Sequence, residues 1–111
     1  MMNISTCRVW SLFALIAGFL IPAAHAQDSD AETASLYLAK ACAGCHGVDG
    51  RSPTTPYYPK IAGQNTTYLY NQLRDLKNGS RNNSQSGVMK GIMTAVSDDE
   101  MRAIAAWLAK Q

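Results

Sequence analysis

Apolar residues recur every three or four positions in three stretches of this chain, and segments rich in polar residues, Gly and Pro separate those stretches. Residues 31–43 are mostly helix formers with one apolar side, and the same spacing returns over residues 66–77. A third apolar stripe follows Ser97 and continues to Leu108. Because no stretch of useful length alternates apolar and polar residues, the pattern predicts an all-α fold with three or more helices and no sheet.

Local signals predict where these helices begin and end. Asn65 is the expected N-cap of the second helix, and the pair Asn78-Gly79 is a stop signal after it. Ser97 and Glu100 have the spacing of a capping box, in which each side chain bonds to the backbone N–H of the other residue. The third helix is therefore predicted to begin directly after Ser97.

Three segments are predicted to lack regular structure. Residues 27–30 are a polar lead to the first helix. Residues 51–63 contain three Pro, and residues 80–87 are polar with two adjacent Asn, so both are expected to be loops. The apolar members of the first loop are placed where they can cover the face of a large ligand.

The first 26 residues have the three parts of a secretory signal peptide. Arg8 supplies a positive start, residues 9–20 form an apolar run, and residues 24–26 are a small-x-small cleavage site. The alternative is a retained membrane anchor, which needs about 20 apolar residues. The shorter run favours a signal peptide over residues 1–26, a periplasmic location, and no stable membrane insertion after the signal is removed.

The remaining segment, residues 27–111, has room for one small domain. It is 85 residues long and keeps every charged residue except Arg8, so its formal charge is +1. That balance gives no sign of nucleic-acid binding, which requires basic clusters. The hydrophobic core of so small a domain gives only marginal stability unless a cofactor or a cross-link adds to it.

Candidate chemistry is concentrated in Cys42-Ala43-Gly44-Cys45-His46. A C-x-x-C pair alone is ambiguous between a redox dithiol, half a zinc site and a disulfide. A His directly after the second Cys is typical of covalent haem attachment, in which the thiols add to the haem vinyl groups and the imidazole reaches the iron. The chain lacks the βαβ pattern of a thioredoxin-type protein and has too few Cys and His for a four-ligand zinc site.

Around this motif the chain resembles the class I cytochromes c, especially small bacterial monohaem proteins and one half of the diheme cytochromes c. The resemblance extends from about residue 31 to the C-terminus. It is carried by four segments in matching order and spacing: 42–47, 58–64 (Tyr-Pro-Lys-Ile-Ala-Gly-Gln), 68–79 and 89–108. It implies one covalent haem c in a small helical fold with loops around the haem.

The resemblance also implies roles for individual residues. Cys42 and Cys45 would form the thioethers, and His46 would be the proximal iron ligand. The carbonyl of Pro59 would accept a hydrogen bond from that imidazole, which orients the ring and raises its basicity. Ile61 would pack against the haem.

The sixth iron ligand is predicted to be Met89 rather than Met93 or Met101. Met101 shares the stripe of the last helix and is expected in the core, the default place for Met. Met89 follows the predicted loop between two Gly, which would let its backbone turn inward, whereas Met93 is close to the cap at Ser97. In the family the ligand stands about eight residues before that Ser, and this spacing also indicates Met89.

These residues favour a non-enzymatic function, one-electron transfer in the periplasm. Expected partners are redox proteins: a membrane quinol-oxidising complex, a terminal oxidase or reductase, or a dehydrogenase. Two alternatives stay open. One is an electron-transfer subunit of a larger dehydrogenase or oxidase assembly, and the other is a haem enzyme or gas sensor with an open distal site.

Overall fold

The computed structural model describes the backbone of residues 25–111 and the side chains of residues 28–111. The predicted signal peptide lies outside the described residues, apart from its last two backbone positions. Within residues 25–111, five helices follow one another: α1 (His25–Ala39), α2 (Ala43–His46), α3 (Thr66–Asn78), α4 (Ser86–Met93) and α5 (Asp98–Leu108). No strand occurs in this part of the chain, and the predicted all-α class is confirmed.

The core lies where α3 and α1 pack against α5, and α4 packs against α3. Tyr37 of α1 and Trp107 of α5 meet with their ring centroids 5.0 Å apart. The buried hydroxyl of Tyr37 donates to the carbonyl of Gly47, 3.0 Å away. This bond satisfies the one polar atom of that side chain and ties the helix crossing to the segment after α2.

The crossing of α1 and α5 depends on a small residue. The resemblance to the cytochromes c implies that Trp107 packs across the first helix, at a point where Ala34 or Ser35 replaces the usual Gly. Ala34 is half-buried and packs against the core, whereas Ser35 is exposed and its hydroxyl bonds to the carbonyl of Ala31. Of the two, Ala34 therefore takes the half-buried position against the core that contains Trp107.

The prediction that residues 27–30 form an irregular lead is wrong, because α1 already includes them. Asp28 lies in the first turn, where a negative charge is favourable. Asp30 pairs with Lys110 at 2.7 Å, so the start of α1 is held against the end of the chain. At the other end of the crossing, Lys40 pairs with Glu100 at 2.9 Å.

The prediction that the first helix continues to about residue 43 is also wrong. The helix stops at Ala39 because Ala41 adopts a left-handed conformation, with φ of 62°. The N–H groups of Ala41 and Cys42 bond to the carbonyls of Leu38 and Tyr37, at 3.0 and 3.2 Å. This is a Schellman ending with Ala at the position that usually holds Gly, so the pattern of helix formers did not reveal it.

The predicted caps are confirmed. The side chain of Asn65 accepts hydrogen bonds from the N–H groups of Thr67 and Tyr68, and Gly79 ends α3 with φ of 82°. Ser97 and Glu100 form the complete capping box of α5, with N–H to side-chain oxygen distances of 2.8 and 3.2 Å.

Helix α4 was not predicted. Residues 80–87 were expected to form a loop, but the helix already begins at Ser86. Gly87 and Gly91 are helical and exposed, and a Cβ on either would meet nothing within 4 Å. The idea that these glycines let the backbone turn toward a ligand is therefore wrong. Each lowers the helix propensity by about 1 kcal/mol relative to Ala, so α4 depends on its packing for stability.

We expect Ala41→Gly to stabilise the protein. A left-handed non-Gly residue costs roughly 1–2 kcal/mol, whereas Gly loses roughly 0.5–1 kcal/mol to the entropy of the unfolded chain. Ala41 is exposed, so no packing is lost. The free energy of unfolding, measured by urea denaturation of the haem-loaded protein, should rise by about 0.5–1 kcal/mol.

Ala39→Gly is the matched control, because Ala39 is also exposed but is still helical, as the last residue of α1. It should lower the free energy of unfolding by roughly 0.5–1 kcal/mol. A loss of stability in both variants would contradict the Schellman assignment.

Candidate haem site

A cavity of about 480 Å³ opens between α2, α3, α4 and the loop that precedes α3. Its walls include Cys45 and His46 on one element and Ile61 on the loop, and Leu73 and Met89 come from α3 and α4. A volume of this size is within the range of protein sites for small molecules and cofactors. The cavity thus gathers residues from every segment that carried the sequence resemblance.

His46 is buried, and one of its ring nitrogens is already committed. Nδ1 lies 2.8 Å from the carbonyl oxygen of Pro59. Because a carbonyl can only accept, Nδ1 carries the proton and donates, which leaves the lone pair of Nε2 for another partner. The imidazole therefore has the tautomer and the fixed orientation of a metal-ligating His.

Tight turns after α2 hold His46 in place. Gly47 and Gly50 have positive φ, 82° and 66°. A Cβ on Gly47 would collide with the carbonyl oxygen of Ser52, and one on Gly50 would lie 2.5 Å from a methyl carbon of Leu108. The Asp49 carboxylate accepts from the N–H groups of Arg51 and Ser52, and these bonds, that of Arg51 foremost, lower its pKa.

The two thiols are free and half-buried on the short helix turn that ends in His46. Cys42 and Cys45 are three residues apart, a spacing that places side chains on the same face of a helical turn. Cys45 lines the cavity, while Cys42 packs against the core, and burial raises the pKa of its thiol. The hydroxyl and N–H of Thr54 bond to the carbonyls of Gly44 and Cys45, which holds the loop against this turn.

Of the three Met residues within residues 28–111, Met89 alone lines the cavity. Met93, at the end of α4, is 1% exposed and belongs to the core. Met101 is 3% exposed and packs in the core from α5. Met89 and Met93 lie on the same side of α4, about one turn apart, so the later residue reaches the core while the earlier one borders the cavity.

Two lysines fix the chain directly after α4. Lys77 of α3 donates to the carbonyl of Val96, and Lys40 donates to the carbonyl of Ala95 at 2.6 Å. Lys40 also pairs with Glu100, whose pKa is lowered chiefly by the N–H of Ser97 and then by Lys40. These bonds supply donors to two backbone carbonyls of the link between α4 and α5, where no helix provides a partner.

Ser86 is a residue of the site that the sequence analysis missed. Its side chain is buried at the start of α4, and the residue lines the cavity. A polar loop was predicted here, so a buried hydroxyl was not expected. The spacing of Ser86, Met89 and Met93 was the available signal, since positions i, i+3 and i+7 share one helix face.

The charged residues among the cavity walls are Lys60 and Arg81. Arg81 donates to the side chain of Gln72 at 3.0 Å. Within residues 25–111, no three His, Cys, Asp or Glu side chains converge to hold a metal ion by themselves. The half-zinc-site interpretation of the Cys pair therefore finds no further ligands in this part of the chain.

Comparisons with known proteins agree with this site. The family model described as cytochrome c matches residues 31–111. Cytochrome c4 of Stutzerimonas stutzeri is 43% identical over 94 residues, which cover 79% of this chain and 43% of that protein. Cytochrome c-553 of Nitratidesulfovibrio vulgaris is 34% identical over 102 residues, which cover 92% of this chain and 93% of that protein.

A further relative, a thiosulfate dehydrogenase electron acceptor of S. stutzeri strain A1501, is 36% identical over 95 residues that cover 86% of this chain and 43% of that protein. The chain thus spans about half the length of the cytochrome c4 and of this acceptor. The chain belongs to the cytochrome c family, and it carries covalently bound haem c.

The residues of the site fit that cofactor. The Cys45 thiol, an imidazole with one free nitrogen, a thioether and apolar side chains meet at one cavity, and the Cys42 thiol lies on the same helical turn as Cys45. In the part of the chain that the structure describes, no helix has both the length and the apolar character needed to cross a bilayer.

Lys77→Met should weaken the attachment of α4. It removes a charge-assisted hydrogen bond to the Val96 carbonyl, so the free energy of unfolding of the haem-loaded protein should fall by roughly 1–2 kcal/mol. Urea denaturation measures this change.

Lys90→Met is its control, since Lys90 is an exposed lysine on α4 itself. That variant should change the free energy of unfolding by less than about 0.5 kcal/mol. Equal effects of the two substitutions would show that Lys77 acts only as one more positive charge.

Proposed function

We propose that the chain is a one-electron carrier whose haem c is bound through thioethers to Cys42 and Cys45 and ligated by His46 and Met89. The observation that carries this proposal is the pairing of a buried, oriented imidazole with a single thioether at the same cavity. When bound, the haem supplies the one-electron couple of its iron.

The side chains at the cavity suit electron transfer better than catalysis. Two axial protein ligands leave no coordination position for a substrate, and His/Met ligation raises the reduction potential. The single His of residues 27–111 is committed to the iron and to Pro59, so no imidazole is left to act as a general base. We infer that the protein is not an enzyme.

Pro59 and Ile61 support the side of the site that holds His46. The Pro59 carbonyl fixes the imidazole and makes its free nitrogen more basic, which favours the ferric iron. The N–H of Ile61 donates to the carbonyl of Gly50 at 2.8 Å, so its half-buried side chain is held at the cavity. In this proposal Ile61 excludes water from the haem face.

The proposed location is the periplasm, with residues 1–26 as the signal peptide and residues 27–111 as the mature domain. This rests on the N-terminal sequence pattern and on the external site of covalent haem attachment in bacteria. Partners are proposed to be redox proteins: a membrane quinol-oxidising complex, a terminal oxidase or reductase, or a dehydrogenase. The relative named as an electron acceptor of thiosulfate dehydrogenase supports the last of these.

A redox titration combined with carbon monoxide exposure tests the carrier function. The purified haem-loaded protein should show one reversible one-electron wave and should not bind carbon monoxide rapidly at neutral pH when reduced. Rapid binding would contradict the proposal and favour an enzyme or sensor with an open distal site. Stoichiometric co-purification with a catalytic protein would instead identify a subunit of a larger assembly.

Matched substitutions test the sixth ligand. Met89→Leu should abolish the sulfur-to-ferric-iron charge-transfer band, lower the reduction potential and open the reduced iron to carbon monoxide. Met93→Leu should keep the band, because Met93 is a core residue and a volume-conserving exchange costs less than about 1.5 kcal/mol. Absorption spectra of both ferric variants decide the matter, and loss of the band in the Met93 variant alone would reverse the assignment.

A further inference from the structure

The hydroxyl of Ser86 is a buried donor without an acceptor. The residue is 6% exposed, and its Oγ has no hydrogen-bond partner within residues 25–111. Leaving such a group unpaired costs roughly 1–3 kcal/mol, so native proteins seldom do so. An acceptor for this hydroxyl is therefore expected at the cavity that Ser86 lines.

The position of Ser86 indicates which acceptor this is. Ser86 begins α4 and Met89 follows three residues later, and both residues line the cavity together with His46. Side chains of a helix lean toward its N-terminus, so the Met89 side chain extends over the turn that starts with Ser86. Met89 is half-buried, which leaves its thioether room to turn toward the iron.

Other acceptors suit this hydroxyl less well. The neighbouring carbonyl of Asn83 already accepts the backbone N–H of Ser86, at 3.0 Å. A haem carboxylate would prefer a cation, and the guanidinium of Arg81 is present at the same cavity. A neutral hydroxyl is a fitting donor for a thioether sulfur, which is a weak acceptor.

We propose that Ser86 is a positioning residue of the iron centre, whose hydroxyl donates to Sδ of Met89 once that thioether has turned to the iron. The proposal rests on Met89 being the sixth ligand. The hydrogen bond holds one rotamer of Met89 and withdraws electron density from the sulfur. Because a ferric iron needs that density more than a ferrous one, the bond raises the reduction potential.

Ser86→Ala in the haem-loaded protein tests this inference. At a fixed solution potential the ferric-to-ferrous ratio should rise about fivefold, which corresponds to a reduction potential about 40 mV lower, since tenfold is 59 mV for one electron. The charge-transfer band should shift but persist, because the ligand itself remains. Ser86→Thr, which keeps the hydroxyl, should restore both properties, and Ser80→Ala at an exposed position should change neither.

The remaining outcomes overturn the proposal. An unchanged potential and band in Ser86→Ala would show that the hydroxyl has no link to the iron. A lower potential with an unshifted band, and with an altered pH dependence, would assign the hydroxyl to a haem carboxylate instead. If Met89→Leu retains its band, the proposed ligand itself is wrong, and this result is independent of any effect at Ser86.

Discussion

One hydrogen bond, from Nδ1 of His46 to the carbonyl of Pro59, joins the two segments on which the haem site depends. Residues 51–63 form neither helix nor strand, so contacts rather than a regular ladder determine where this loop lies. Two backbone bonds of 2.8 Å complete the attachment, from Ile61 to Gly50 and from Gly63 to Leu108. The orientation of the imidazole and the course of the loop are therefore determined by the same contact, and a shift of either would displace the other.

The side of the site that carries Met89 is built on α4, a helix of low intrinsic stability. Helix α4 has eight residues, and two of them are exposed Gly, whereas isolated helices need about 12–15 residues to persist in water. Its stability comes from packing against α3, from the buried side chain of Met93, and from the lysines that hold the carbonyls of residues 95 and 96. Packing of Met93 in the core thus keeps Met89 at the cavity.

Sequence reasoning succeeded where local chemistry decides the structure. The Asn65 cap and the Ser97–Glu100 box each depend on a few neighbouring residues, and both are present. It failed where other contacts offset an unfavourable local propensity. The φ of Ala41 favours Gly, and two backbone hydrogen bonds of the Schellman ending compensate for its cost, whereas α4 forms despite its two Gly because it packs against α3. The argument that Gly87 and Gly91 let the backbone of Met89 turn inward is wrong. The family spacing from Ser97 nevertheless led to the methionine that lines the cavity.

The ion pairs at both ends of the α1–α5 crossing bear on the order in which this chain can fold. Lys110 is the penultimate residue and contacts Asp30, which lies 80 positions earlier. Contacts of such long sequence separation form late, because the intervening chain must first close into a loop. The crossing cannot be completed until the chain as far as Lys110 is free to fold. Until then α1 lacks its partner in the crossing, so the turn that follows α1 and contacts it, from Cys42 to His46, is not yet held in its native position.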